Sequence, residues 1–143
     1  MLGGCGGSTS ADGDKVCPVP NHVGCAQPRG VYSITYSERR GGTCGTKESF
    51  RGEVAATRVT SFEPPCVGTV EWSSDFCTAS FQATCPAEEF GVGYRNQQLS
   101  HDTYSMDGMI RTGTFELTVF DANGDLFCES TYDSLAENGS CQD

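Results

Sequence analysis

Histidine occurs twice in these 143 residues, tryptophan once and leucine five times. No apolar run approaches the ~18 residues that a membrane-spanning helix needs. Basic side chains are scarce, 9 against 19 acidic ones, for a formal net charge of -10. A surface of that sign repels phosphate backbones, so nucleic acid is not an expected partner. Catalytic signatures are missing too: no G-x-S-x-G elbow, no phosphate loop, no dinucleotide glycine pattern and no H-E-x-x-H. His101 and Asp102 are adjacent, which in a strand sends them to opposite faces and makes a poor dyad. Glu88 and Glu89 are neighbours that read as a solvated loop. No catalytic residue is assigned, and the chain is not expected to be an enzyme.

No C-x-x-C occurs either, although the chain holds nine cysteines. With so few histidines this excludes zinc-type spacing, so no metal and no cofactor is expected. Nine cysteines in a short chain point to disulfides and hence to an oxidising, extracytoplasmic compartment. The odd one is Cys5, which lies in a glycine-rich start. The other eight, Cys17, Cys25, Cys44, Cys66, Cys77, Cys85, Cys128 and Cys141, can close four bridges. Cys17 and Cys25, separated by a proline-rich stretch, could close a small local loop.

Leu2-Gly3-Gly4-Cys5 looks like the end of a bacterial lipoprotein signal, with an aliphatic residue three before the cysteine and small residues between. Cys5 is therefore the expected lipidation site and a membrane the expected partner. The charged and hydrophobic parts of a signal peptide do not precede it, as in a chain that begins downstream of its true start. The run from Gly6 to Val16 is polar and flexible and would span roughly 18 Å. Residues 1–16 thus read as lipobox remnant and tether, and 17–143 as one disulfide-bonded domain, large enough to bury a core.

β-favouring residues dominate the chain: Val, Ile, Thr, Tyr, Phe and Trp total 40, against 5 Leu and 9 Ala. Period-2 alternation marks strands at Cys66–Trp72 and Phe76–Cys85 with a hairpin at Ser73-Ser74-Asp75. It marks others at Tyr32–Tyr36, at Thr114–Val119 and from Leu126, where Leu126, Cys128, Ser130 and Tyr132 share a face. Asp107-Gly108 and Asp121-Ala122-Asn123-Gly124-Asp125 read as turns. Val54–Phe62 is a weaker strand candidate. The expected fold is an all-β antiparallel meander of seven or eight short strands, closed as a barrel or stacked as a sandwich. Cys77 and Cys85 lie ~26 Å apart on one strand at ~3.3 Å per residue, so each must bond elsewhere.

Other candidates are softer. Arg39, Arg40, Lys47 and Arg51 cluster in sequence and could form an anion patch. Asp121, Asn123 and Asp125 match the first positions of a calcium loop, but the glycine is misplaced and Tyr132 stands where a bidentate Glu is required, so a hairpin turn is expected. Trp72 is expected in the core, while Tyr94 and Tyr104 lie in a poorly patterned region and could be exposed. Asn138-Gly139-Ser140 fits a glycosylation acceptor, which matters only in a host that glycosylates.

The lipobox-like start, the opening Gly30-Val31-Tyr32-Ser33-Ile34-Thr35-Tyr36, the strand ends Asp75-Phe76-Cys77 and Thr84-Cys85-Pro86, and Asp121-Ala122-Asn123-Gly124 leading to Cys128–Asp133 together resemble uncharacterised secreted lipoproteins of myxobacteria. The resemblance implies a cysteine-rich β-domain with no assigned activity. Gly6, rather than Asp, after the lipidated cysteine leans toward the outer membrane. The expected role is a non-enzymatic, surface-anchored binding or structural module, with a protein partner in an envelope or appendage assembly. The alternative is a secreted β-barrel binder of a small molecule or glycan. An open lined cavity would favour the second, an apolar patch or unpaired edge the first.

Overall fold

The computed structural model of the chain describes residues 15–55, 59–61 (backbone only) and 64–141. Eight strands form one antiparallel sheet: β1 (Arg29–Glu38), β2 (Phe50–Ala55), β3 (Val59–Ser61), β4 (Val67–Trp72), β5 (Thr78–Pro86), β6 (Arg95–Tyr104), β7 (Ile110–Phe120) and β8 (Leu126–Asn138). Their spatial order is β2-β1-β8-β7-β6-β5-β4-β3. From β3 to β8 every neighbour in space is the neighbour in sequence. The last strand then pairs with β1, from Tyr32 opposite Asn138 to Glu38 opposite Tyr132. The result is an antiparallel sheet curled into a half-barrel, with β2 and β3 as its two edge strands.

Curling sorts the side chains. On β1 the buried positions are Gly30, Tyr32 and Ile34, with Tyr36 half-buried in the same alternation, and on β8 every second residue from Cys128 to Asn138 is buried. Large and small interior residues face each other across the ladder: Ile34 opposes Ala136 and Tyr36 opposes Ser134. One interior layer stacks Tyr36, Phe81, Phe115 and Tyr132, with ring centroids 5.6 to 6.2 Å apart. A second layer joins Tyr32, Tyr104 and Trp72.

All eight cysteines of the domain are bridged, as Cys17–Cys141, Cys25–Cys77, Cys44–Cys128 and Cys66–Cys85. The local Cys17–Cys25 loop does not form. Instead Val16 N donates to Ser140 O, which carries Cys17 to Cys141, and Cys25 N donates to Asp75 O, which carries Cys25 to Cys77. Cys77 and Cys85 bond to different partners. The strand read as Phe76–Cys85 begins at Thr78, because Phe76 has φ 58° and closes the Ser73–Thr78 turn. That turn is held by Asp75, whose carboxylate accepts from Ser73 Oγ and Cys77 N.

The face assigned to Leu126 is corrected as well. A register shift between Val119 and Phe120 sets Phe120 opposite Leu126 but Val119 opposite Cys128, so Phe127 is the extra residue of a bulge. Leu126 and Phe127 are both exposed as a result. The Val54–Phe62 candidate resolves into the end of β2 and the short β3; residues 56–58 and 62–63 lie outside the described residues.

Candidate ligand cavity

β6 turns polar side chains into the barrel: Asn96, Gln98, Ser100 and Asp102 point inward, followed by Tyr104. The β6–β7 hairpin closes through Ser105–Gly108, and Asp107 caps it by accepting from Met109 N and Ser105 Oγ. That closure sets Asp102 opposite Gly113 and Tyr104 opposite Arg111. A Cβ at position 113 would collide with Asp102 Oδ1 and with the carbonyl of His101, so only glycine leaves room for the carboxylate.

Asp102 is 6% exposed, and its Oδ2 accepts a 2.6 Å hydrogen bond from Ser100 Oγ. Its Oδ1 lies 3.8 Å from Arg111 Nε, too far for a hydrogen bond. Among the described residues neither Oδ1 nor Nε has a hydrogen-bond partner, although both atoms are fully buried. Burial raises the Asp102 pKa in spite of the neighbouring guanidinium. Burial likewise pushes the Tyr104 hydroxyl up to about 12, so it stays protonated beside Arg111.

Both charged groups line a cavity of about 200 Å³. Trp72, Tyr104, Phe81, Val54, Val70 and Ala79 supply apolar wall. Glu53, Val54 and Ala55 of the edge strand β2 also line it. The far end of the barrel is covered by the β1–β2 loop. Cys44 ties that loop to β8, Tyr132 Oη donates to Gly45 O at 2.6 Å, and Gly45 N donates to Glu38 Oε2. Lys47 in this loop holds its ammonium 5.0 Å from the Tyr36 ring centroid and 5.2 Å from that of Phe115. Burial lowers its pKa.

The anion-patch residues are thus spread over different tasks. Lys47 sits half-buried on the aromatic layer, Arg39 donates from both Nε and Nη2 to Asp133 Oδ1, and Arg40 and Arg51 are exposed. Asp121 spends Oδ1 on Asn123 N and Asp125 N, as a hairpin turn requires. Among the described residues no three His, Cys, Asp or Glu side chains gather to hold a metal ion. His101 is exposed on the outer face, away from Asp102. Asn138 is fully buried; its amide donates to Arg29 O and accepts from Ser140 N and Cys141 N, so its nitrogen is not presented for glycosylation. Tyr104 is buried rather than exposed, and Tyr94 packs edge-on to Phe127. Cys5 lies outside the described residues.

One further surface stands out. Phe90, Tyr94 and Phe127 form an aromatic cluster at the tip built by the β5–β6 loop and the β7–β8 turn. Val92 beside it is 87% exposed and Phe127 50%.

The fold class these features define is a disulfide-stapled antiparallel β-sheet curled into a half-barrel. No protein-family model, no curated protein and no solved structure matches the chain.

Proposed function

We propose that this chain is a non-enzymatic, extracytoplasmic binding module that holds a small molecule inside its barrel and is anchored to a membrane by a lipid on Cys5. The observation that carries the reading is a cavity of about 200 Å³ walled by Trp72, Tyr104, Phe81, Val54 and Val70 beside the buried Asp102–Arg111 pair. Mostly apolar concave sites with a few polar groups are where small molecules bind. Four bridges fit the oxidising compartment. The test is a titration with small neutral ring compounds (indole, p-xylene and p-cresol), followed by NMR. At least one is expected to bind, with shift changes centred on Val70, Trp72, Ala79 and Tyr104. Failure of all three rejects the cavity as a binding site. For the anchor, mass spectrometry of the mature N-terminus in a bacterial host is expected to find an acylated Cys5, and an unmodified thiol there removes the membrane from the reading.

The apolar tip favours a second reading, a subunit of an envelope assembly. The tip stands at the start of the 13-residue β8, while Val16 docks just past its end at Ser140. At ~3.3 Å per residue these points lie about 40 Å apart. A tethered domain would hold the tip away from its membrane and toward a protein partner.

A further inference from the structure

We propose that the aromatic tip docks a protein segment presenting a large apolar side chain flanked by lysine or arginine. This rests on the second reading, that the tip meets a protein partner, and names that partner's chemistry.

The tip is a preformed shape. Its β5–β6 loop folds through successive turns, with Ala87 N donating to Tyr94 O, Gly91 N to Glu88 O and Tyr94 N to Gly91 O. Gly91 lies against the Tyr94 ring, where a Cβ would collide with it. A Cβ at position 93 would lie 3.1 Å from that of Ala122, so the loop rests on the β7–β8 turn. Beneath, Phe90 and Tyr94 pack on buried Ala87, Val119 and Cys128, and Cys128 is bridged to Cys44. A surface that is already ordered loses little freedom on docking.

On this base the fold presents apolar groups outward. Val92 in the loop is 87% exposed. Phe127 is 50% exposed, with its ring centroid 5.1 Å from that of Tyr94 and 5.8 Å from that of Phe90. The bulge contributes directly. In an unbroken ladder adjacent residues alternate faces, so one of Leu126 and Phe127 would turn inward. With the extra residue both stay exposed. Clustered apolar groups with a polar rim mark docking surfaces.

The rim has one sign. Segments 87–94 and 120–127 carry four carboxylates, Glu88, Glu89, Asp121 and Asp125, and no Lys, Arg or His. Glu88, Glu89 and Asp125 are exposed. Of the cations nearby, Arg95 stands on the outer face of β6, and Lys47, whose charged form Glu89 favours, is half-buried on the aromatic layer. An apolar centre ringed by carboxylates repels a second copy, whose tip carries the same ring, and it repels an anionic lipid surface. A partner with cations around an apolar anchor is complementary to it.

The oxidised domain, immobilised through its N-terminus, is used to select binders from a random dodecapeptide display library. Enriched peptides are expected to carry Trp, Phe or Leu flanked by Lys or Arg. A synthetic copy of the most enriched one should bind the domain with an affinity that falls as salt is raised. Val92→Ser and Phe127→Ser should each weaken it at least ~10-fold, as loss of an interface anchor does. The triple variant Glu88→Gln, Glu89→Gln, Asp125→Asn should weaken it at least ~10-fold at low salt and flatten the salt dependence. Asp121 is left in place because it caps the turn. Should Phe127→Ser not fold, Val92→Ser, at a largely exposed position, decides alone. Peptides that need Val92 but carry no cations overturn the charge assignment and leave the tip as a docking surface. No enrichment, or peptides indifferent to Val92→Ser, removes the docking surface as well. A dimer in sedimentation that Val92→Ser abolishes makes the occupant a second copy and overturns the proposal. Binding to phosphatidylglycerol vesicles that Val92→Ser abolishes makes it a membrane, with the same result.

Discussion

Reduction at neutral pH is expected to unfold the domain without denaturant, with the near-UV signal of Trp72 and the tyrosines lost in one cooperative step. The bridges close loops with sequence separations of 124, 84, 52 and 19. A closed loop of ~15 residues restricts the unfolded chain by about 3 kcal/mol and one of ~100 residues by about 4.7 kcal/mol. These loops overlap, so the contributions do not add in full. Domains are stable by only ~5–15 kcal/mol, and losing all four bridges removes most or all of that. Among single-bridge variants, removing Cys17–Cys141 should lower the denaturation midpoint most and removing Cys66–Cys85 least, following loop length. Chelator should leave the protein unchanged. A domain that unfolds in EDTA and survives reductant would make the cysteines metal ligands and overturn the bridging.

Arg111→Met is expected to cost about 3–5 kcal/mol of stability, far more than its modest change in apolar area, because it leaves Asp102 buried without its cation. Methionine keeps most of the stem volume, so a cavity does not explain the loss. The double variant Asp102→Leu with Arg111→Met recovers most of it, since an apolar pair has no charge to desolvate. Urea midpoints for the two single variants and the double one measure this. Additive losses would show that the two side chains do not act as a pair.

The same carboxyl gives a pH signature. A group whose pKa is raised on folding favours the folded state while protonated. Its contribution is therefore fully present below the ordinary Asp value of ~3.9 and is lost as pH rises through the folded-state value. Asp75, held low first by the Ser73 hydroxyl, and Asp107, held low first by the Met109 amide, slope the other way. The comparison of wild type with Asp102→Asn isolates the term. Asp102→Asn should lack the loss of stability that the wild type shows as pH rises above the ordinary Asp value, and that loss should be larger in Arg111→Met.

Strands with apolar inward positions were legible in the sequence. Val70 and Trp72 gave β4, Ala79, Phe81 and Ala83 gave β5, and Phe115, Leu117 and Val119 gave β7. The first part of β6 was not legible, because its inward positions are Asn96, Gln98, Ser100 and Asp102 and show no apolar alternation. β8 was followed only to Tyr132, although it continues to Asn138. Its later inward residues are small or polar because Ile34 and Tyr36 of β1 fill the space beside them. Bridge partners are set by which strand ends meet in space, which spacing along the chain does not encode. At the site, sequence separated the faces of His101 and Asp102 and singled out Trp72, but passed over Arg111. The signal was present: counting outward from the Asp107-Gly108 turn puts Arg111 beside Tyr104 and within reach of Asp102, a cation on the inward face.

The pairing of the first strand with the last has a cost during synthesis. As the chain emerges from its N-terminus, Tyr32-Ser33-Ile34-Thr35-Tyr36 can find β2 on one side, but its other side waits for β8. Until those final strand residues arrive, a β-prone, uncharged segment presents an open ladder of N–H and C=O groups, a template for strands of other nascent copies. A C-terminal deletion that removes β8 would leave two such templates at once, on β1 and on β7, and would be cleared by proteases or recovered as insoluble aggregate rather than as a shortened barrel.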